Sequence, residues 1–138
     1  VQDRVDFRGL LPKSELREAY YDHHIFLAPS RMSSTGDNEG GAPVTVIEAQ
    51  ASGMPVVGTR HCDIPNVVQD RQTGLLADER DVSALAEHLW TLSNSTDQME
   101  DMGRRGHRYI SENHDARNQG RKLDQIYDEV HREKKNGP

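Results

Sequence analysis

Short apolar runs alternate along this chain with helical stripes, which is the arrangement of an open parallel sheet carrying helices on its faces. The central instance lies in residues 24–59. His24-Ile25-Phe26-Leu27-Ala28 reads as a strand stopped by Pro29-Ser30, and a polar, glycine-rich loop follows over residues 31–42. Pro43 suits the first turn of a helix, because the amide hydrogen it lacks would have no partner there. That helix runs through Ser52 and stops at Gly53, and residues 55–59 form the next strand.

The same pattern extends to both sides. Residues 5–9 read as a first strand, before a helix opened by Pro12 and Ser14 with Leu16, Ala19 and Tyr20 on one face. Residues 63–68 make one short helical turn, and residues 73–77 a fourth strand. Asp81 caps a helix that sets Val82, Leu85, Leu89 and Leu92 on one side, with Trp90 read as packing. Ser95 and Gln98 have the spacing of a capping box for a helix faced by Met99, Met102, Tyr109 and Ile110. A final helix carries Leu123, Ile126, Tyr127 and Val130. The expected fold class is α/β: a Rossmann-like open parallel sheet of about four strands with helices on both faces. Residues 1–131 form one incomplete domain, and residues 132–138 a charged, frayed tail.

Composition narrows the function. The formal charge is −6 and no basic stripe is interleaved with aromatics, which disfavours a nucleic-acid partner. No apolar run approaches the roughly 20 residues that a membrane-spanning helix needs. The single cysteine, Cys62, cannot form an internal disulfide and fits a reducing compartment, so a cytoplasmic location is expected. His23-His24 and His61-Cys62 are adjacent pairs that would point to opposite sides of a regular element. With no His-x3-His or Cys-x2-Cys spacing, no metal site is expected, and Cys62 reads as a half-buried structural residue. The chain begins at Val1 and reads as a piece of a longer protein.

The chemistry concentrates in residues 29–57. Glycines at 36, 40 and 41 let the backbone approach a ligand, and the helix that follows points unpaired amides and a positive dipole end at the loop. A phosphate or pyrophosphate is the natural guest. Glu39 at the end of the loop and Glu48 on the helix would repel a phosphate, so both are better explained by hydroxyl partners, such as those of sugars and riboses. A phosphate cradle flanked by two hydroxyl-binding acids describes a nucleotide-sugar site.

This stretch resembles the signature of the large family of retaining glycosyltransferases known as family 4, which have two facing Rossmann-like domains (the GT-B fold). The resemblance rests on Pro29-Ser30, Glu39, Glu48, Ala49, Ala51, Gly53, Pro55, Val56 and Val57. Val5-Asp6-Phe7-Arg8-Gly9 with Glu15-Leu16 upstream is similar to a further family element. So are Ile64-Pro65, Val67-Val68 and Thr73-Gly74-Leu75-Leu76 downstream. Two positions depart from the pattern: eight residues rather than seven separate Glu39 from Glu48, and Asn66 replaces a usual Glu.

The resemblance implies the C-terminal, donor-binding half of a GT-B enzyme, truncated at its N-terminus. Glu39 would be the catalytic residue and hydrogen-bond the donor sugar's hydroxyls, and Glu48 those of the ribose. The backbone of Gly40, Gly41, Ala42, Pro43, Val44 and Thr45 would cradle the diphosphate. Ser30 would shape the pocket wall, and Gly9 and Leu10 would lie near the base. The donor would be a UDP-, GDP- or ADP-sugar, with no cofactor or metal, and the product a hexose joined to a glycan, lipid or small molecule.

The acceptor site would lie in an N-terminal GT-B domain missing from this chain, and the family's leaving-group Arg and Lys upstream, so the fragment alone is expected to be inactive. Arg31 and Arg60 read as solvated surface rather than substitutes for those cations. The final helix would lack its full partner and permit self-association, and the intact enzyme would have peripheral contact with a membrane. Two alternatives stay open: a UDP-sugar epimerase of GT-B architecture, and a non-catalytic nucleotide-binding module.

Overall fold

The structure, a computed structural model, describes residues 2–36, 41 and 43–136. After a 3-10 turn, Gln2–Arg4, the chain forms α1 (Lys13–Asp22), β1 (Phe26–Ala28), α2 (Val44–Ala51), β2 (Val56–Thr59), α3 (Ile64–Val67), β3 (Gly74–Ala77), α4 (Val82–Ser93), α5 (Thr96–Asn113) and α6 (Ala116–Asn136). The three strands are parallel in the order β1-β2-β3, with Leu27, Val57 and Leu75 in register. Every residue of β2 and β3 is buried, as expected of parallel strands covered on both faces.

The pleat splits the core into two apolar layers. Ala28, Val56 and Leu76 meet Val46 of α2 and Ile64 and Val67 of α3 on one face. Val57 and Leu75 meet Leu92 of α4 and Met102 of α5 on the other. α1 joins the first layer through Tyr20, which packs with Ala49 and Met54. α5 also passes under the strands' N-terminal ends: Tyr109 Oη donates to the Asn66 carbonyl, and Arg105 Nε to that of Gln72. The opposite end of the sheet is thereby left for the loops after β1, β2 and β3.

Three local signals hold where the sequence placed them. Pro43 is the N-cap of α2, and Gly53, just past its end, adopts φ +87°. Asp81 Oδ1 accepts the Ala84 amide at 2.9 Å, capping α4. Ser95 occupies the N-cap of α5 without a side-chain capping bond, so the capping box expected with Gln98 is not formed.

Residues 5–9 are not a strand. Nothing among the described residues pairs with the outer edge of β1, and an extended segment without a ladder neighbour leaves its backbone to water. Phe7 is accordingly 91% exposed. The sheet described thus has three strands rather than four. Trp90 lies on the solvent side of α4, 70% exposed, and is not a packing residue. The helix α6 continues to Asn136, past the boundary drawn at residue 132, and its Leu123, Ile126, Tyr127 and Val130 face is exposed. No helix among the described residues is long and apolar enough to cross a membrane.

Candidate functional site

In an open parallel sheet, ligands bind beyond the carboxyl ends of the strands. Here that end gathers the residues after Ala28, Thr59 and Ala77 together with the start of α2. The first amides of α2, those of Val44 and Thr45, have no intrahelical acceptor. The Pro43 carbonyl already takes the Val46 amide at 3.0 Å. Val44 and Thr45 are exposed, and Gly41 at φ +107° takes the left-handed conformation that only glycine adopts without strain. Glu39, Gly40 and Ala42 lie outside the described residues.

One turn into α2, Glu48 is half-buried and accepts a hydrogen bond from Tyr20 Oη at 3.3 Å on Oε2. Tyr20 comes from α1 and is itself buried against Phe26. Burial foremost, then the Glu48 charge and hydrogen bond, pushes the Tyr20 phenol up to about 12, so it stays a donor at neutral pH. A cleft of about 480 Å3 opens between α1 and α2, lined by Lys13, Ser14, Arg17, Tyr20 and Glu48, a size suited to a small organic ligand. A roomier cleft of about 800 Å3, lined by Gly53, Arg104 and His107, adjoins the first at the C-terminal end of α2, where the two share Tyr21, Ala51 and Ser52.

Of the remaining expected site residues, Ser30 contributes its carbonyl, which accepts from Thr59 Oγ1 at 2.5 Å. Gly9 has φ +65° and Leu10 is fully exposed, and neither lines the cleft beside Glu48. Arg60 is bound to Asp70 at 2.7 Å and Asp78 at 3.3 Å.

A second polar cluster was not legible in the sequence. Glu79, after β3, takes the His61 Nδ1 hydrogen at 2.7 Å on Oε1 and the Met32 amide at 2.9 Å on Oε2. His61 is 8% exposed, and its Nε2 lies 3.2 Å from Cys62 Sγ. Cys62 is exposed rather than half-buried, and its φ of +45° turns its side chain back onto its neighbour, a meeting that regular backbone would forbid. Among the described residues no cluster of His, Cys, Asp and Glu has an arrangement that could hold a metal ion.

The His61 hydrogen bond first, then the Met32 amide, and more weakly the charges of His61 and Arg80, hold Glu79 below its ordinary value of 4.5. A carboxylate with a lowered folded pKa contributes stability that is complete above the unfolded value and is lost as pH falls through the folded one. The Met32 amide resonance should therefore titrate in an NMR experiment with a midpoint below 4.5. A midpoint above 4.5 would contradict this assignment.

The profile of the family described as Glycosyl transferases group 1 matches residues 1–95. The chain belongs to that family. It is 39% identical over 100 residues to the putative colanic acid biosynthesis glycosyltransferase WcaL of Escherichia coli, covering 72% of this chain and 24% of that protein. It is 40% identical over 93 residues to the amylovoran biosynthesis glycosyltransferase AmsK of Erwinia amylovora, covering 67% of this chain and 23% of that protein. The chain thus spans about a quarter of the length of these relatives.

Among solved structures, sucrose-phosphate synthase of Thermosynechococcus elongatus superposes with a TM-score of 0.81 at 22% identity, over 94% of this chain and 31% of that one. The C-terminal domain of a group 1 glycosyltransferase, LpcC of Francisella tularensis, superposes with a TM-score of 0.68 at 17% identity, over 80% of this chain and 53% of that one. This group 1 glycosyltransferase chain has the fold of the C-terminal half of a GT-B enzyme.

Proposed function

We propose that this chain is the nucleotide-sugar-binding part of a retaining glycosyltransferase that moves a hexose onto a glycan, lipid or small-molecule acceptor. The observation that carries the reading is Glu48: a half-buried carboxylate, tied to Tyr20, beside a cleft and one turn from the first amides of α2, which have no acceptor within the helix. An acid that close to a helix N-terminus competes with a phosphate for the positive end, unless it serves a different part of the same ligand. The vicinal hydroxyls of a ribose are that part, with the diphosphate over the amides of Gly41, Val44 and Thr45 and the sugar towards Glu39.

The helix dipole and backbone amides offset the charge on the leaving diphosphate, and no metal is required. The acceptor and the remaining cations come from an N-terminal GT-B domain, the two domains closing on the donor. The E. coli and Erwinia relatives are named for colanic acid and amylovoran biosynthesis, which favours a polysaccharide intermediate as the acceptor.

Calorimetric titration of UDP, GDP and ADP into the full-length protein tests the reading. One of the three should bind without added divalent metal, with a Kd on the order of 10–100 μM. Absence of binding by all three would overturn it.

A further inference from the structure

We propose that His61 and Glu79 are positioning residues that fix the start of the glycine-rich loop for donor binding, a proposal that rests on the donor reading of α2. The loops leaving all three strands meet at one carboxylate. Glu79 follows β3, takes the Nδ1 hydrogen of His61 after β2, and takes the amide of Met32 after β1. Beside it, Thr59 Oγ1 donates to the Ser30 carbonyl from a side chain that is 1% exposed. Residues 30–32 are therefore held at two points, to the ends of β2 and of β3. The other end of the loop is held where Pro43 begins α2 and its carbonyl accepts from Val46. Where the loop starts, and in what direction, decides how its amides meet a diphosphate.

This cluster belongs to neither apolar layer. The Glu79 side chain is 30% exposed, so removing it releases the Met32 amide without opening a cavity in the core. With Nδ1 donating to Glu79, Nε2 of His61 is left to accept from the Cys62 thiol, which holds the imidazole in one tautomer. Each hydrogen bond to Glu79 is charge-assisted and joins groups far apart in sequence, 18 residues for His61 and 47 for Met32.

The test uses the full-length protein and whichever of UDP, GDP or ADP binds it. Glu79→Ala and His61→Ala should each weaken nucleotide affinity about tenfold, the loss expected for a charge-assisted hydrogen bond. Amide exchange at Met32 should accelerate in both. His61→Asn, whose side-chain amide places a donor close to the Nδ1 position, should restore most of the affinity. The double alanine variant should be no weaker than Glu79→Ala, because the two groups act as a unit. Glu79→Gln, which keeps an acceptor for Met32, should fall between parent and alanine variant and serves if the latter does not fold.

Parent-like affinity in Glu79→Ala, or in Glu79→Gln together with fast Met32 exchange, would overturn the proposal. So would His61→Asn binding no better than His61→Ala. A parent protein that binds none of the three nucleotides is a separate result: it removes the donor reading, and the proposal with it.

Discussion

Gly103→Ala should lower the melting temperature by about 10 °C or more, the equivalent of roughly 3 kcal/mol in a domain of this size. A Cβ at Gly103 would overlap the Gly53 carbonyl oxygen and stand 3.1 Å from its carbonyl carbon. Neither side can yield easily. Gly103 is buried in the middle of α5, and Gly53 is the left-handed residue that ends α2. The Gly53 backbone is held by its own amide to the Gln50 carbonyl at 3.0 Å and by the next amide, Met54, to Ala49 at 3.0 Å. Overpacking typically costs about 1–3 kcal/mol when side chains can adjust, and more when the clash is backbone against helix.

Gly120→Ala in α6 is the control. Its Cβ would meet nothing within 4 Å, so the substitution should stabilise by about 0.5–1 kcal/mol through helix propensity alone. Thermal melts of both variants beside the parent check the pair. A Gly103→Ala protein melting within two or so degrees of the parent would refute the close helix crossing.

Glu48→Gln should weaken nucleotide binding about 10- to 100-fold while leaving the melting temperature close to the parent's. Hydrogen bonds to a charged acceptor contribute about 1.5–3 kcal/mol each. A glutamine keeps the side-chain shape and still accepts from Tyr20, so the fold loses little. Tyr20→Phe should act in the same direction and more weakly, since it frees the Glu48 carboxylate to swing without removing its charge. Paired titrations and melts of the two variants separate binding from stability. A Glu48→Gln protein with parent-like affinity would show that the carboxylate does not face the ligand.

Elements specified by contiguous residues were legible in the sequence. The run ending at Ala28, the Gly53 stop and the Asp81 cap are such local decisions, and each stands in the structure. Residues 5–9 carry the same apolar alternation as a strand, yet strand formation is decided by a neighbour, and none of the described residues supplies one. Ser95 has the capping spacing to Gln98, but its side chain makes no bond to the first turn of α5.

In the candidate site, the placing of Glu48 followed from helical periodicity, whereas its tie to Tyr20 joins residues 28 positions apart. Glu79 could not have been singled out, because its partners come from two other loops. The contact of His61 with Cys62 depends on a left-handed residue that no sequence signal marks, since left-handed non-glycine positions favour Asn and Asp.

We propose that Glu48 reads ribose hydroxyls beside a diphosphate held by the amides of α2. The most direct measurement is the affinity of the parent and of Glu48→Gln for a ribonucleoside diphosphate and for its 2′,3′-dideoxy counterpart. The parent should prefer the ribonucleotide about 10- to 100-fold, and Glu48→Gln should bind the two within roughly threefold of each other. An undiminished preference in Glu48→Gln, or no preference in the parent, would contradict the account.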